Sequence, residues 1–367
     1  MYGAVRTRTL LWSAGLAALL VLVALVSTGL GPVTIEPHVV AMAVANVVPV
    51  PTAVGLTWFD LGPLSVPWPS VGTDRVFAFS VPESHQTIVT GIRLPRIVLA
   101  AIVGFALAAA GTVMQGFFRN PMADPSIIGV SSGAAVGAVA FIVAPTALPM
   151  GIGLQLSAFV GATVTAFVVY LIATEDGRTP VATLLLAGIA VQTFLGAVIS
   201  FLQINAGESL EQVVYWLMGH LHTSTWADVR LSLPAVVVSF VVLYAYTEDL
   251  NVLLLGEEDA RTLGIEVEWT KRILLATASI VTAAAVAVSG VIGFVGLIVP
   301  HMMRLLVGPD HRILLPTSAL AGAAFLVATD TVARVGPAEV PVGIVTAALG
   351  APFFLYLLRT REVHAVG

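Results

Sequence analysis

Ten long apolar stretches, separated by short breaks rich in Pro, Gly or polar residues, leave this chain little room for a water-soluble fold. They fall at roughly 10–30, 94–115, 126–144, 152–173, 181–204, 231–247, 272–290, 293–307, 313–332 and 341–358. Each is close to the length a helix needs to cross ~30 Å of hydrocarbon. Composition agrees: 58% of residues are hydrophobic and 10% charged, against about 25% charged in a soluble domain. The expectation is an all-α polytopic membrane protein with about ten transmembrane helices. Gly290, Gly293 and Gly296 interrupt the run after Lys271, as a turn between helices or an unwound patch within one.

The first run follows Arg6 and Arg8 and has no clean small-x-small cleavage site, so it reads as a membrane helix and not a signal peptide. Residues 1–30 are thus a cytoplasmic N-terminus plus that helix, 31–92 an extracytoplasmic insertion and 361–367 a cytoplasmic tail. With both ends inside, the cytoplasmic segments hold Arg6, Arg8, Arg119, Arg178, Arg261, Lys271, Arg272, Arg304, Arg312, Arg359 and Arg361. The outside keeps Arg75, Arg93, Arg96, Arg230 and Arg334. That bias follows the positive-inside rule and places the chain in the cell membrane. The insertion carries eight prolines and reads as an external cap or a poorly ordered segment, with Trp58 and Trp68 at headgroup level.

Several function classes are excluded. The net charge of −5 and the scattered Lys and Arg give no nucleic-acid surface. With no cysteine there is no disulfide, thiolate metal site or cysteine-ligated cluster. The histidines make no H-E-x-x-H, and a Gly-x-x-x-x-Gly-Lys-Ser/Thr phosphate loop is absent, so ATP-driven work belongs to another subunit. No metal site and no cofactor is expected. Acidic residues avoid the middle of the spans; Asp124 and Asp330 lie near ends. That weighs against an ion-coupled secondary transporter, which usually places a carboxylate in the bilayer. An intramembrane enzyme built on Asp330 and His301 lacks a visible third member.

Gly129, Gly133 and Gly137 share one helix face and allow close helix packing. Pro300 lies inside an apolar run and should kink it, freeing a carbonyl near Gly296. Within 248–270, Glu257 to Gly264 reads as a short helix with acids in its first turn and glycine as its stop.

Ordered motifs then carry a resemblance. They are Arg93-Leu94-Pro95-Arg96, Ala110 to Pro125, Gly129 to Ala134, Tyr215 to Gly219, Ser289 to His301, Asp330 to Arg334, Glu339 to Gly343 and Leu349 to Phe353. Together they resemble the FecCD family, permease subunits of ABC importers for ferric siderophores, haem and vitamin B12, over about 93–360. The resemblance implies a type II importer permease with inverted-repeat halves, of which Ala110-Gly111-Thr112-Val113 against Ser289-Gly290-Val291-Ile292 is a faint echo. It implies a second permease copy, two cytoplasmic ATPases, an extracytoplasmic substrate-binding protein and a metal-chelate substrate. The cargo is a corrinoid or ferric siderophore, with haem or an oxyanion as alternatives.

By the same resemblance Arg93, Arg96 and Arg334 face outward and dock the binding protein. Glu257, Glu258, Ala260, Arg261, Leu263 and Gly264 form the ATPase coupling segment. Met114, Gln115 and Ser132 are candidates for the pathway. The insertion before Arg93 is longer than is usual in the family.

Overall fold

The computed structural model describes residues 2–31, 33–47, 49–61, 64–75, 77–145, 153–336 and 338–364. The chain begins with α1 (Tyr2–Gly29) and α2 (Pro37–Ala45), then an antiparallel hairpin of β1 (Pro49–Leu61) and β2 (Leu64–Arg75). A short α3 (Glu83–Thr87) and one π-helical turn, Ile88–Arg93, lead into α4 (Leu94–Phe117). Next come α5 (Val130–Val143), α6 (Leu154–Ala173), α7 (Val181–Ile204), α8 (Leu210–Leu217) and α9 (Trp226–Ala245). Two short helices, α10 (Thr247–Leu253) and α11 (Glu257–Thr262), precede α12 (Val267–Ser289), α13 (Val295–Val307), α14 (His311–Val335) and α15 (Val342–His364). Among the described residues, seven helices are long and apolar enough to cross a membrane, and shorter apolar helices in α5, α13 and α15 complete the ten expected spans.

Helix boundaries depart from the hydropathy pattern where capping or ion pairing extends a helix beyond its apolar core. α9 starts at Trp226 and not near 231, because Thr225 and Asp228 form a reciprocal capping box. The Asp228 carboxylate accepts from the Thr225 backbone N–H at 2.9 Å. α12 starts at Val267 and not near 272, since Glu268 and Lys271 on its first turns pair at 3.5 Å. α5 starts later than expected: Pro125–Ile128 is a 3-10 turn, and Gly129 ends it at φ 81.

The all-α reading needs one addition, the hairpin inside 31–92. In a two-stranded ribbon each strand keeps a free edge, which is where proline is tolerated. Pro49, Pro51, Pro67 and Pro69 all lie on these two strands. Before and after the hairpin, Ile35, Val40, Ala43 and Val89 form a small cluster that packs α2 against the π-helical turn. The Asn46 side chain also accepts from Phe79 N at 2.8 Å and donates to Phe79 O at 3.0 Å. Trp58 and Trp68 lie on the strands, but the expected headgroup placement of their rings concerns side chains outside the described residues.

α4 is the most deeply buried of the long helices. A Cβ on its Gly104 would lie 2.2 Å from the Gly322 carbonyl of α14, and one on Gly111 would lie 1.9 Å from the Gly296 carbonyl of α13. Backbones that close gain dispersion contact that lipid cannot supply, which is how helices associate without a hydrophobic drive between them. Pro300 removes the N–H that the Gly296 carbonyl would otherwise accept. Gln115 of α4 supplies substitutes, donating from Nε2 to Leu297 O at 2.9 Å and to Gly296 O at 3.4 Å.

The halves α4–α7 and α12–α15 repeat one plan. A long helix of 24 or 23 residues is followed by a short one of 14 or 13. Each short helix opens on a left-handed residue, Gly129 at φ 81 or Phe294 at φ 70. The fourth helix closes on that opening through a glycine: Gly188 of α7 approaches Ile127, and Gly350 of α15 approaches Phe294. Because one long helix precedes the second half at the opposite end, the halves run antiparallel, as in an inverted repeat. Gly290 and Gly293 lie in a true break between α12 and α13, whereas Gly296 is within α13.

Cross-helix bonds sort the helix ends. Arg96, Asp330, Arg334 and Ser27 meet at the end that carries the hairpin and α8. At the other end, with α10 and α11, Arg8 donates to Val307 O at 3.3 Å and Asn251 Nδ2 donates to Asp310 at 2.8 Å.

Candidate functional site

At the hairpin end the three arginines expected to face outward are buried, at 4% exposure for Arg93, 8% for Arg96 and 7% for Arg334. Each is bound by its own chain. Arg93 donates to Thr28 O at 2.6 Å and to Val33 O, tying α4 to the exit of α1. Arg96 grips Asp330 with Nε at 3.0 Å and Nη2 at 2.7 Å, and turns Nη1 to Glu339 at 2.6 Å. Arg334 donates to Ser27 O at 3.0 Å and to Ser27 Oγ, with Nε 3.4 Å from Asp330. A buried guanidinium requires such partners, because leaving one unpaired costs several kcal/mol (~3–5). Sequence reasoning missed Asp330, Glu339, Ser27 and Thr28 as partners. The Asp330–Arg334 spacing of four on one helix was the available signal.

A cavity of about 650 Å³ opens beside this network, lined by Arg96, Glu211, Tyr215, His220, His222 and Glu339 among others. Its floor is fixed where His220 N donates to Ser289 O at 2.7 Å. The His220 and His222 rings lie 4.9 Å apart. Burial, followed by the neighbouring His222, pushes the His220 imidazole down to about 4, so it is neutral at physiological pH.

At the opposite end α11 closes with a Schellman turn: Ile265 N donates to Ala260 O at 3.0 Å and Gly264 N to Arg261 O at 3.1 Å, with Gly264 at φ 89. Ala260 is fully buried as the anchor, whereas Leu263 is 62% exposed and Glu258, Arg261 and Gly264 are also exposed. Glu257 bridges Arg261 at 3.5 Å and Lys271 at 3.1 Å. Lys271 Nζ donates to Thr179 O at 2.5 Å, Glu268 accepts from Thr179 N at 3.1 Å, and Arg272 donates to Gly177 O at 3.3 Å. α11 and the start of α12 are thereby joined to the α6–α7 connection, a link no motif announced.

Met114 and Gln115 lie inside the bundle at 1% and 2% exposure. Met114 belongs to the core, and Gln115 is spent on α13, where Arg304 Nη1 also donates to its Oε1 at 2.8 Å. Neither faces an opening in this conformation. Ser132 is half-buried on the first turn of α5. Gly133 and Gly137 meet α6: added Cβ atoms would lie 2.4 Å from Gly161 O and 2.1 Å from Ser157 O. Gly129 caps α5 beside Thr165. Asp330, the carboxylate considered for catalysis, is committed to two arginines.

Ten apolar helices among the described residues, eight of them in two inverted halves of four, with polar networks at the ends, define a polytopic transport permease. Residues 19–360 match the model of the FecCD transport family. The chain is 59% identical, over 98% of both chains, to the cobalamin import system permease protein BtuC of Halobacterium salinarum. It is 45% identical to the hemin transport system permease protein HmuU of Yersinia pestis, over 74% of this chain and 83% of that one. A solved metal-chelate type ABC transporter in an inward-facing conformation superposes with a TM-score of 0.75 at 32% identity, covering 95% of this chain and 98% of the other. The chain belongs to the FecCD transport family. It is a non-catalytic, multi-pass membrane subunit of an ABC importer, and ATP hydrolysis belongs to a separate subunit.

Proposed function

We propose that this permease of an ABC importer for metal chelates carries a cobalamin-type corrinoid. The observation that supports this cargo is the 59% identity to a cobalamin permease over 98% of both chains, insertion included. The haemin permease matches over only 74% of this chain.

In this reading two copies pair around the pathway. The end carrying α10 and α11 faces the cytoplasm, because most Lys and Arg gather there. Exposed Leu263, Glu258 and Arg261 meet the ATPase, and movement of α11 passes through Glu257 and Lys271 to the α6–α7 connection. The hairpin end faces outward and receives the substrate-binding protein around Arg93, Arg96 and Arg334. Ser132 is retained as a pathway residue, while Met114 and Gln115 act as packing in this conformation. Access alternates because the ATPases and binding protein hold different conformations, each with its own packing. Competition among unlabelled chelates against labelled cobalamin uptake tests the cargo: a corrinoid should compete and a ferric siderophore should not.

A further inference from the structure

A groove of about 260 Å³ runs between α6 and α12, lined by Phe167, Tyr170, Arg272, Leu275, Ala276 and Ile280 among others. Its two ends differ in chemistry. Tyr170 and Arg272 stand beside the α6–α7 connection, in the last turn of α6 and the second turn of α12. From Arg272 the groove follows α12 to Ile280, about 12 Å along the axis at 1.5 Å per residue. Over that length it offers no free polar group. The Thr163 and Ser279 hydroxyls donate within their own helices, to Phe159 O at 2.8 Å and Leu275 O at 2.6 Å. Both helices are long and apolar enough to cross a membrane. The apolar length therefore lies at hydrocarbon depth and the arginine near an interface.

Arg272 differs from the cations around it. Lys271, Arg261 and Arg312 each pair with a carboxylate. Arg272 reaches the Gly177 carbonyl at 3.3 Å, and among the described residues no carboxylate pairs with it. Glu268 is committed to Lys271 at 3.5 Å and to Thr179 N at 3.1 Å. Glu175 and Asp176 are exposed on the same turn as Gly177, and the exposed Arg178 offsets one of them.

We propose that this groove seats one chain of an anionic phospholipid, with its phosphate on Arg272. Such a lipid repeats the pattern of the groove, a charged head followed by an apolar tail. A peptide does not fit, because a groove with satisfied hydroxyls gives its backbone no hydrogen-bond partners. A zwitterionic lipid fills the apolar length but brings its own cation to the arginine. An anionic headgroup gives the planar guanidinium a charge-assisted pair in place of a lone carbonyl. The α6–α7 connection is tied through Thr179 and Lys271 to α11, so a seated lipid braces the joint between that connection and α12. None of this depends on the cargo.

Native mass spectrometry of the permease–ATPase complex, titrated with phosphatidylglycerol or phosphatidylcholine of the same chains, tests the site. Wild type should bind its first phosphatidylglycerol roughly fivefold more tightly, the worth of one cation at an anionic surface. Arg272→Gln should remove that preference. Ala276→Phe, which fills the groove below an intact arginine, should weaken binding of both lipids. Arg230→Gln, at an exposed arginine beside Trp226 on the hairpin end, is the control and should change nothing. Melting temperatures should stay near wild type, since Arg272 and Ala276 are both exposed. Glycerol phosphate, a headgroup without chains, should not displace the lipid. Equal affinity for the two lipids, or a preference that survives Arg272→Gln, overturns the proposal. Wild-type binding by Ala276→Phe, or displacement by glycerol phosphate, overturns it too, since the headgroup would then be held without a seat for the chain.

Discussion

Lys271 Nζ lies 2.5 Å from the Thr179 carbonyl, and this bond joins the start of α12 to the connection between α6 and α7. The ammonium is 6% exposed and reaches Glu257 on α11 at 3.1 Å as well, so one cation ties three elements. Replacement by a neutral chain strands a carbonyl and loosens α11. Lys271→Met should cost about 2–4 kcal/mol, below the figure for a fully buried pair because Glu257 keeps some solvent. The double variant with Glu257→Gln should cost less than the sum of the singles. Thermal unfolding of the solubilised protein measures both.

Leu263, the C-cap of α11, projects at 62% exposure, one turn after the buried anchor Ala260. An exposed leucine beside Glu258 and Arg261 suits an interface anchor. Leu263→Ser should reduce co-purification of the ATPase by about tenfold, the range of an interface hot spot, with unfolding temperature unchanged. Full recovery of the ATPase would remove the coupling role.

Close approach of α4 and α13 predicts a steric penalty. Gly111→Ala places a methyl 1.9 Å from the Gly296 carbonyl, where only backbone could yield. Overpacking of this kind costs about 1–3 kcal/mol or more. Gly196→Ala, with nothing within 4 Å, is the matched control and should be neutral or slightly stabilising. Scanning fluorimetry on the pair reports the difference.

Acid should destabilise the hairpin end through His220. Its folded pKa of about 4 lies below the ordinary value of 6.5. Between those values the unfolded chain binds the proton that the folded chain refuses, so stability falls as pH drops from 6.5 toward 4 and is unaffected above that window. The full effect is about 3 kcal/mol. His220→Asn should flatten this part of the melting-temperature profile, and an unaltered acid slope would contradict it.

The bundle was legible because lipid acts as a solvent with one demand, an apolar span of sufficient length, and each of the ten spans reappears as a helix. Resemblance added the inverted halves. The hairpin was hidden because prolines at 49, 51, 67 and 69 mask strand character, and only pairing reveals that they occupy edges. The three arginines were expected to face outward, and their burial at the hairpin end was not visible in the sequence. Hydropathy treats an arginine at a helix end as a surface charge, whereas Asp330 reaches Arg96 from 234 positions away and Ser27 reaches Arg334 from 307 positions away. Gln115 looked like pathway polarity because Pro300, whose freed carbonyl it serves, is distant in sequence.

The central claim is that a separate ATPase drives a corrinoid through this permease. Its most direct test is uptake of radiolabelled cobalamin into proteoliposomes holding the permease, its ATPase and its binding protein. The account predicts accumulation that requires internal ATP and all three components, and stops when the ATPase is inactivated. Uptake that persists without nucleotide and follows an imposed ion gradient would contradict it.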